Sequence, residues 1–261
     1  MSNNVQSIER ALTILDMLSE YPDGIQITRL SELVGLNKST THRLLSTLVN
    51  MNYVVKDDTT DKYKLGLQIV YLSRNILSNM NITEISKPYL EKLVRDVNET
   101  VHLCIEDNGE VMYVDKIESN QTIRMYSRIG SRAPMYCTGV GKVLLSGMSE
   151  TKFNKIVSKM EFFPRTEATI TSKEELIREV EKVKQQQYSL DNVEYQDGIR
   201  CIAAPIYDYN GNIIATFSIS GPSNRVTMDV VNNLLIDKVR QTTAEISLNF
   251  GYVEKKTNTI F

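Results

Sequence analysis

The 261-residue sequence lacks several features that mark membrane, secreted and hydrolytic proteins. No apolar run approaches the roughly 20 residues of a membrane-spanning helix, and the N-terminus lacks the basic and apolar regions of a signal peptide. Its three cysteines are scattered, which favours reduced thiols over a disulfide framework. Only two histidines are present, and no Ser-His-Asp triad is evident. We therefore expect a cytoplasmic protein with no membrane partner, no catalytic residues, no metal and no cofactor.

A strong charge of either sign is also absent. The formal charge is −2, and residues 1–80 contain eight Lys or Arg and eight Asp or Glu, a net charge of zero. The net charge of this region therefore gives no reason to expect nucleic-acid binding. One local segment differs: the run from Leu33 to Lys56 contains no acidic residue, so it would not repel a phosphate backbone. The composition, 41% hydrophobic and 24% charged, is typical of a globular chain with one large or two ordinary domains.

The stretch Thr28–Asn52 has the pattern of two short helices joined by a tight turn. Apolar residues recur at helical spacing on both sides of Gly35, which can leave the first helix with positive φ. Thr28 is expected to cap the first helix and Asn37 the second. This pattern predicts a helix-turn-helix, whose second helix enters the DNA major groove with its N-terminal residues against the bases. The residues expected to bind DNA are Thr28, Asn37, Lys38, Ser39, Thr40, Thr41 and Arg43.

Elements on either side of this stretch complete the unit. Ser7–Ser19 is amphipathic, with Ser7 as the expected N-cap, and it predicts a third helix. Two β-prone runs, Tyr53–Val55 and Lys62–Leu65, flank a turn at Asp57–Asp61 and predict a hairpin, the wing of a winged helix. The alternative is an ordinary helical hairpin with a solvated polar face, followed by a loop.

A helix is predicted over Gly66–Asn79, and it is apolar over much of its surface. Such a helix must bury against something, so we expect a linker that also makes dimer contacts. Asn81 or Thr83 then opens another helix, in which Pro88 predicts a kink or a boundary near Lys87. The predicted domains are residues 1–65 for the winged helix-turn-helix, 66–80 for the linker and dimerisation helix, and 81–261 for a second domain.

From residue 100 onward, β-prone runs alternate with amphipathic helices. Strands are predicted at Val101–Ile105, Val111–Val114, Ile123–Ile129, Cys201–Tyr207 and Ile213–Ser220. Helices are predicted at Val143–Ser146, Thr151–Met160, Lys173–Gln187 and Thr227–Asn249. Strand pairs followed by helices indicate an α+β fold with a mainly antiparallel sheet flanked by helices.

Motifs in both halves of the chain resemble the IclR-type bacterial transcription regulators. In the first half these are SIERAL at residues 7–12, GLNKSTTHRLL at 35–45 and YKLG at 63–66. In the second half they are GSRAPM at 130–135, GVGK at 139–142, GIRCIAAP at 198–205 and SISGP at 218–222. The resemblance is specific, because both sets occur together and in the right order.

This resemblance implies a winged helix-turn-helix joined by a helix to a GAF-like effector-binding domain. It also implies a regulator, here a repressor of a catabolic operon, that binds double-stranded operator DNA as a homodimer or homotetramer and responds to a small organic acid. By motif, the effector-binding positions are Met125, Gly139, Val140, Asp191, Cys201, Ser218 and Ser220. The run Ile123–Leu145 suggests a 2-oxo acid or sugar-acid catabolite of the 2-keto-3-deoxygluconate kind.

Elementary chemistry agrees with those positions. Gly139 precedes a helix, and free N–H groups at a helix N-terminus favour a carboxylate. Ser218 and Ser220 alternate along a strand, so both hydroxyls face one side. Without the resemblance, we would expect that side to face solvent. Cys201 would form a small wall of the site. Asp191 would accept a hydrogen bond from a ligand hydroxyl but would repel the carboxylate end of the ligand.

Several alternatives stay open. The second domain could be an enzyme acting on a small metabolite, although no nucleophile and base stand out, or it could serve only for oligomerisation. Cys137, Cys201 and Asp191 could bind a metal if they converged, but their spacing gives no support. His102 is expected to be a core residue with satisfied hydrogen bonds. Gly139–Lys142 lacks the spacing of a phosphate-binding loop.

Overall fold

The computed structural model describes residues 5–72, 81–122 and 127–253 of the chain. Its contacts divide the chain into two compact units, Met1–Met80 and Asn81–Phe261. Within the described residues, no helix combines the length and the apolar character that crossing a membrane requires. Met125 and the second half of the predicted helix over Gly66–Asn79 lie outside the described residues.

The first unit is a three-helix core with a small antiparallel sheet. Its helices are α1 (Gln6–Ser19), α2 (Ile27–Leu33) and α3 (Lys38–Asn50), and residues 68–72 form the helical segment α4. Its strands are β1 (Ile25–Gln26), β2 (Val54–Lys56) and β3 (Lys62–Leu65), in the order β1–β3–β2.

Apolar side chains from all three helices and the hairpin share one core in this unit. Ile14, Leu18, Leu30, Leu45 and Tyr63 pack together there. These are the buried faces that helical periodicity predicts for a helix-turn-helix. The β2–β3 hairpin confirms the predicted wing, whereas β1 is a third strand that was not predicted because it has only two residues.

Helix capping in this unit agrees with prediction at one residue and differs at two. Asn37 caps α3, and its side chain accepts the Thr40 N–H at 2.8 Å. Ser7 and Thr28, predicted as N-caps, instead lie within the first turns of α1 and α2, whose N-cap residues make no side-chain hydrogen bond. Since α2 begins directly after β1, the extended backbone of the strand sets the start of that helix.

The second unit is a six-stranded antiparallel sheet with packed helices. Its strands, in the spatial order β6–β5–β4–β9–β8–β7, are β4 (Thr100–Asp107), β5 (Glu110–Ile117), β6 (Arg132–Ala133), β7 (Ser189–Asn192), β8 (Ile199–Tyr207) and β9 (Ile213–Pro222). Its helices are α5 (Ile82–Val97), α6 (Gly139–Ser146), α7 (Glu150–Val157), α8 (Lys173–Gln186), α9 (Met228–Val230), a π-helical turn (Val231–Leu235) and α10 (Ile236–Asn249). The predicted α+β fold is confirmed.

Two details of this unit differ from prediction. α5 is capped by Asn81 and runs through Pro88, so the predicted boundary near Lys87 is wrong. Pro88 has no N–H for the Glu84 carbonyl, and since Glu84 is exposed, that carbonyl can bind water instead. Residues 127–129, the described end of the predicted strand Ile123–Ile129, are not in a strand.

The two faces of the large sheet are covered by different helices. Side chains alternate along a strand, so Ala203 faces one side and its neighbour Ile202 faces the other. Ala203 packs in the core formed with α6, α7 and α8. α5 and α10 contact each other, β4 and β8, and they cover the opposite face, which contains the fully buried Ile202 and Phe217.

Candidate DNA interface and candidate effector site

The first turns of α3 present a row of polar side chains to solvent. Asn37, Lys38 and Ser39 are exposed, as are His42 and Arg43 one turn further on. α3 contains no acidic residue, and Lys38 and Arg43 form no ion pair with any described residue. Two cationic side chains are therefore available to a phosphate backbone.

The structure removes Thr41 from the residues that could touch DNA. Thr41 is fully buried, and its hydroxyl donates to the Asn37 carbonyl oxygen at 3.1 Å. Its side chain thus packs α3 against the core and does not face a groove. Of the other predicted residues, Thr40 is half-buried and Thr28 is exposed on α2.

Three exposed side chains on α3 were missed as candidate DNA contacts: His42, Ser46 and Thr47. The hydroxyls of Ser46 and Thr47 donate to carbonyl oxygens one turn back, at 2.9 and 3.1 Å. Residues three and four apart lie on the same face of a helix, so their spacing from Ser39 and Arg43 already placed them there. The sequence therefore contained the signal.

Residues from four strands line up across one face of the large sheet. In one row, Asp191 lies opposite Cys201, Cys201 opposite Ser220, and Ser220 opposite Thr100. The next row contains Ser189, Ala203, Ser218 and His102. Cross-strand neighbours share a face. The structure thus brings together Asp191, Cys201, Ser218 and Ser220 on the face that packs against α6.

Ser218 and Ser220 form a buried hydroxyl pair. They are 5% and 3% exposed, and their Oγ atoms are 3.3 Å apart. The shared orientation predicted from strand alternation is confirmed. The expectation that this side faces solvent is wrong, because α6 packs on it. The hydrogen bond between the two hydroxyls is long, so either hydroxyl can rotate toward another oxygen at a small cost in free energy.

The N-terminus of α6 is pressed against β7 and β8. Thr138 caps the helix with its side chain. A Cβ atom on Gly139 would lie 3.3 Å from the Ala203 Cβ and 3.4 Å from the Asp191 N, so the helix start is in close contact with both strands. Val140 is 4% exposed. The helix begins at Gly139, and its first N–H groups have no backbone acceptor within the helix. The Thr138 hydroxyl accepts the Gly141 N–H at 3.2 Å.

Asp191 holds the turn that follows β7. Its Oδ1 accepts the N–H groups of Glu194 at 2.7 Å and Tyr195 at 3.3 Å. Burial raises the pKa of Asp191 to about 7, although the hydrogen bond from the Glu194 backbone opposes that rise. A carboxyl group with such a pKa is partly protonated near neutral pH and can then donate as well as accept.

Lys142 and Glu194 form an ion pair that sequence reasoning missed. The Lys142 Nζ lies 2.7 Å from both carboxylate oxygens, and the lysine side chain is 1% exposed. Glu194 Oε1 also accepts the Asn192 N–H at 3.2 Å. The pair ties α6 to the turn after β7. The only signal in the sequence is a lysine within an otherwise apolar helix, since a buried charge requires a partner.

The structure gives no support to thiol chemistry or a metal site. Burial raises the pKa of Cys137 to about 12, and it raises the pKa values of Cys104 and Cys201 well above the ordinary range. The thiolate form, which attacks electrophiles and binds metals, is therefore disfavoured. In the described part of the chain, no group of three or more His, Cys, Asp or Glu could hold a metal ion, and this includes Cys137, Cys201 and Asp191.

His102 lies buried in the second of the two rows. It is 3% exposed, its Nε2 is 2.7 Å from the Ser127 Oγ, and its ring packs edge-on against Tyr113 with centroids 5.1 Å apart. Burial and, to a smaller extent, the positive charge of Lys116 lower its pKa to about 3. The imidazole is therefore neutral at physiological pH. The predicted burial is confirmed, and the predicted hydrogen bonding is confirmed for Nε2.

Comparison with known proteins gives matches over nearly the whole chain. Residues 7–58 match the family described as the IclR helix-turn-helix domain, and residues 74–248 match the family described as bacterial transcriptional regulator IclR, C-terminal. The HTH-type transcriptional regulator XynR of Escherichia coli (strain K12) is 35% identical over 248 residues, which cover 95% of this chain and 98% of that protein. KdgR, an HTH-type transcriptional regulator of the same organism, is 36% identical over 250 residues, which cover 96% and 94%.

A solved structure agrees with these matches. The crystal structure of the Agobacterium tumefaciens repressor BlcR aligns with a TM-score of 0.77 at 26% identity, and the alignment covers 97% of this chain and 100% of that one. The similarity therefore extends through both units and is not confined to the DNA-binding half.

Proposed function

The chain belongs to the IclR family of bacterial transcriptional regulators, and from that premise we propose that it represses a catabolic operon under the control of a small organic acid. Family membership makes it a DNA-binding transcription regulator and not an enzyme. The observation that carries the proposed effector control is the buried polar face where Ser218 and Ser220 meet the N-terminus of α6. We place the protein in the cytoplasm, with its operator DNA.

The proposed effector is a 2-oxo acid or sugar acid of the 2-keto-3-deoxygluconate kind. Its site comprises Gly139, Val140, Asp191, Cys201, Ser218 and Ser220, with Met125 outside the described residues. The carboxylate binds the first N–H groups of α6 and the two serine hydroxyls, because a helix N-terminus and hydroxyl donors both favour an anion. The 2-oxo oxygen points toward Asp191, whose raised pKa lets it donate.

This site favours an effector domain over a domain that serves only for oligomerisation. Asp191, Ser218, Ser220 and Thr100 are all buried on one face of the sheet. Burying polar groups costs free energy unless they are hydrogen-bonded, and apolar side chains would stabilise a purely structural domain more. A ligand that uses these groups explains why they are there.

We propose that α3 lies in the major groove of the operator. Lys38 and Arg43 contact phosphates or base edges, and the exposed side chains between them and beyond them complete the contact surface. The residues proposed to bind DNA are Thr28, Asn37, Lys38, Ser39, Thr40, His42, Arg43, Ser46 and Thr47.

We further propose a homodimer, or a tetramer built from two dimers. Leu67 is 83% exposed and Val70 is 58% exposed, and Ile8 and Leu12 on α1 expose more than half of their surfaces. Exposed apolar patches on soluble proteins mark surfaces that contact another protein. The proposed division is residues 1–65 for DNA binding, 66–80 for linking and dimerisation, and 81–261 for effector binding.

Operator binding in the presence of matched small molecules tests this function. Pyruvate and 2-keto-3-deoxygluconate are compared with pyruvamide, which keeps the 2-oxo group but lacks the carboxylate. We expect at least one acid to change the operator affinity and the amide to leave it unchanged. A ligand can change DNA binding only if it binds the DNA-bound and the DNA-free protein with different affinities. If neither acid changes the affinity, the proposed effector class is wrong.

A further inference from the structure

His102 shares the polar face of the sheet with the proposed effector residues. It lies on β4 directly opposite Ser218 on β9, and Ala203 lies on the far side of Ser218 on β8. Side chains of directly opposed residues in an antiparallel sheet have Cβ atoms about 5 Å apart. A ligand group that contacts the Ser218 hydroxyl therefore lies within reach of the His102 side chain.

The imidazole of His102 has one nitrogen that is hydrogen-bonded and one that has no hydrogen-bond partner among the described residues. Its Nε2 is 2.7 Å from the Ser127 Oγ, and the structure shows no hydrogen bond from Nδ1 to any described residue. The ring is neutral, so one nitrogen donates and the other accepts. A hydroxyl group can donate or accept, and it therefore matches either tautomer, whereas a carboxylate can only accept.

Strand spacing gives the distance between the two ends of the site. The N-terminus of α6 contacts β8 at Ala203, and His102 lies two strands away, beyond β9. Neighbouring strands are about 4.8 Å apart, so these two ends are separated by about 10 Å. A three-carbon 2-oxo acid held at α6 ends over β9, while a longer chain continues toward β4.

We infer that His102 is part of the effector site, and that the effector is a 2-oxo acid whose carbon chain extends past Ser218 and ends in hydroxyl groups, one of which hydrogen-bonds to the imidazole. This inference rests on the proposed effector site and adds the end that reads the ligand tail. Ser127 fixes the ring through Nε2, and Tyr113 packs against its edge, so the nitrogen is held in place before ligand arrives.

The two histidines make this testable by NMR on the full chain. His42 lies on the exposed face of α3 and His102 on the sheet of the other unit, so ¹⁵N-histidine labelling gives one probe in each unit. We expect 2-keto-3-deoxygluconate to shift the His102 ring nitrogens, pyruvate to shift them much less, and operator DNA to shift those of His42. If both acids bind and the His102 signals are the same with each, the inference is wrong while the proposed function stands. If neither acid binds, both are wrong.

Substitutions give a second, independent measurement. His102→Phe keeps a ring against Tyr113 but has no nitrogen, and we expect about tenfold weaker binding of 2-keto-3-deoxygluconate with pyruvate affinity unchanged, the effect of one lost hydrogen bond. His102→Gln, which retains a donor and an acceptor, should recover part of the loss. Cys104→Ala, two residues along β4 on the same face, is the matched control and should leave the ratio of the two affinities unchanged. A His102→Phe ratio equal to that of the wild type would overturn the inference.

Discussion

Lys142 on α6 and Glu194 in the turn after β7 form a buried ion pair, with the ammonium nitrogen 2.7 Å from each carboxylate oxygen. The same turn is held by Asp191, whose Oδ1 accepts the Glu194 N–H. One ion pair and one hydrogen bond therefore connect the helix whose N-terminus is proposed to bind the effector with the strand that contributes Asp191. A shift of α6 on ligand binding would be transmitted directly to this turn.

Removing one partner of this pair should destabilise the second unit strongly. Lys142→Met leaves the Glu194 carboxylate buried without its cation, and such a loss costs about 3–5 kcal/mol. The double variant Lys142→Met with Glu194→Gln should recover most of that free energy, since no charge is then left unpaired. Urea denaturation of the wild type, both single variants and the double variant gives the coupling. Additive effects of the two substitutions would contradict the assigned pairing.

Asp191 should make stability depend on pH in an identifiable direction. Burial raises its folded-state pKa from 3.8 to about 7, so the folded chain binds this proton more tightly than the unfolded chain. Its contribution is fully present below the lower pKa and is lost as pH rises through the higher one, with a slope of at most about 1.4 kcal/mol per pH unit. Asp191→Asn keeps a side-chain oxygen that can accept the backbone N–H groups and removes the group that titrates.

The free energy of unfolding of the wild type minus that of Asp191→Asn should therefore decrease between the two pKa values and level off above the higher one. Denaturant titrations across that pH range measure the difference directly. A difference that rises with pH would mean that the fold stabilises the ionised carboxylate, and it would contradict the raised pKa of Asp191.

Two pairs of residues in the second unit show how much of the site could be predicted from the sequence alone. Ser218 and Ser220 were placed on one face because strand alternation is a local rule that needs no tertiary information. The Lys142–Glu194 pair could not be predicted, since its members are 52 positions apart and only the packing of α6 on β7 and β8 brings them together. β7 itself, Ser-Leu-Asp-Asn, has too few apolar residues to indicate a strand.

In the DNA-binding half, most of the signal was present in the sequence. Helical periodicity and the Asn37 cap located α3 correctly. Thr41 lies four and seven residues before the buried Leu45 and Leu48, so helical periodicity itself places it on the buried face. Its polar side chain in the first turns of α3 was not a sufficient reason to assign it to the DNA. Thr28 failed as a cap because α2 begins at Ile27, directly after strand β1. Ser7 lies one residue inside α1, whose N-cap is Val5.

Arg43→Ala and Lys38→Ala should each weaken operator binding without unfolding the protein. Loss of a phosphate contact should lower the salt dependence of binding by about one unit of slope, whereas loss of a bidentate base contact should relax specificity at one position by about 1–3 kcal/mol. Lys159→Ala, an exposed lysine in the other unit, is the matched control. Unchanged operator affinity in both α3 variants would exclude α3 from the groove.

Thr41→Val distinguishes the buried residue from its exposed neighbours. Its hydroxyl is bonded within the helix, so we expect a modest loss of stability and an unchanged pattern of base preference. Binding to a set of operator variants, each with one altered base pair, measures that pattern. A changed preference at any single position would place Thr41 at the DNA after all.

Replacing Leu67 and Val70 together by Glu should weaken self-association and, with it, operator binding. Both side chains expose most of their apolar surface, and a pair of charges in a dimer contact would repel those of the partner. Light scattering at micromolar concentration measures the mass, with Phe163→Glu, an exposed apolar residue of the other unit, as control. A wild type that is monomeric and binds single half-sites would contradict the proposed dimer.

Ser218→Ala combined with Ser220→Ala should abolish the ligand response and preserve DNA binding. The two hydroxyls hydrogen-bond to each other at 3.3 Å, so removing both together removes donor and acceptor at once and should change stability little. With ligand bound, two hydrogen bonds to a carboxylate are lost, which together are worth about 3–6 kcal/mol. Such a loss weakens the affinity by at least a hundredfold, taking about 1.4 kcal/mol per factor of ten.

Basal operator affinity should persist in this double variant, because Lys38 and Arg43 lie in the other compact unit. Thr216→Val is the matched control: Thr216 occupies the next position on the same face of β9, but its hydroxyl already donates to the Ala204 carbonyl oxygen at 2.9 Å. Operator binding is measured with and without pyruvate and 2-keto-3-deoxygluconate for wild type, control and double variant. A double variant that responds as the wild type does would mean that the effector binds elsewhere, since no carboxylate site can lose both of its hydroxyl donors and keep its affinity.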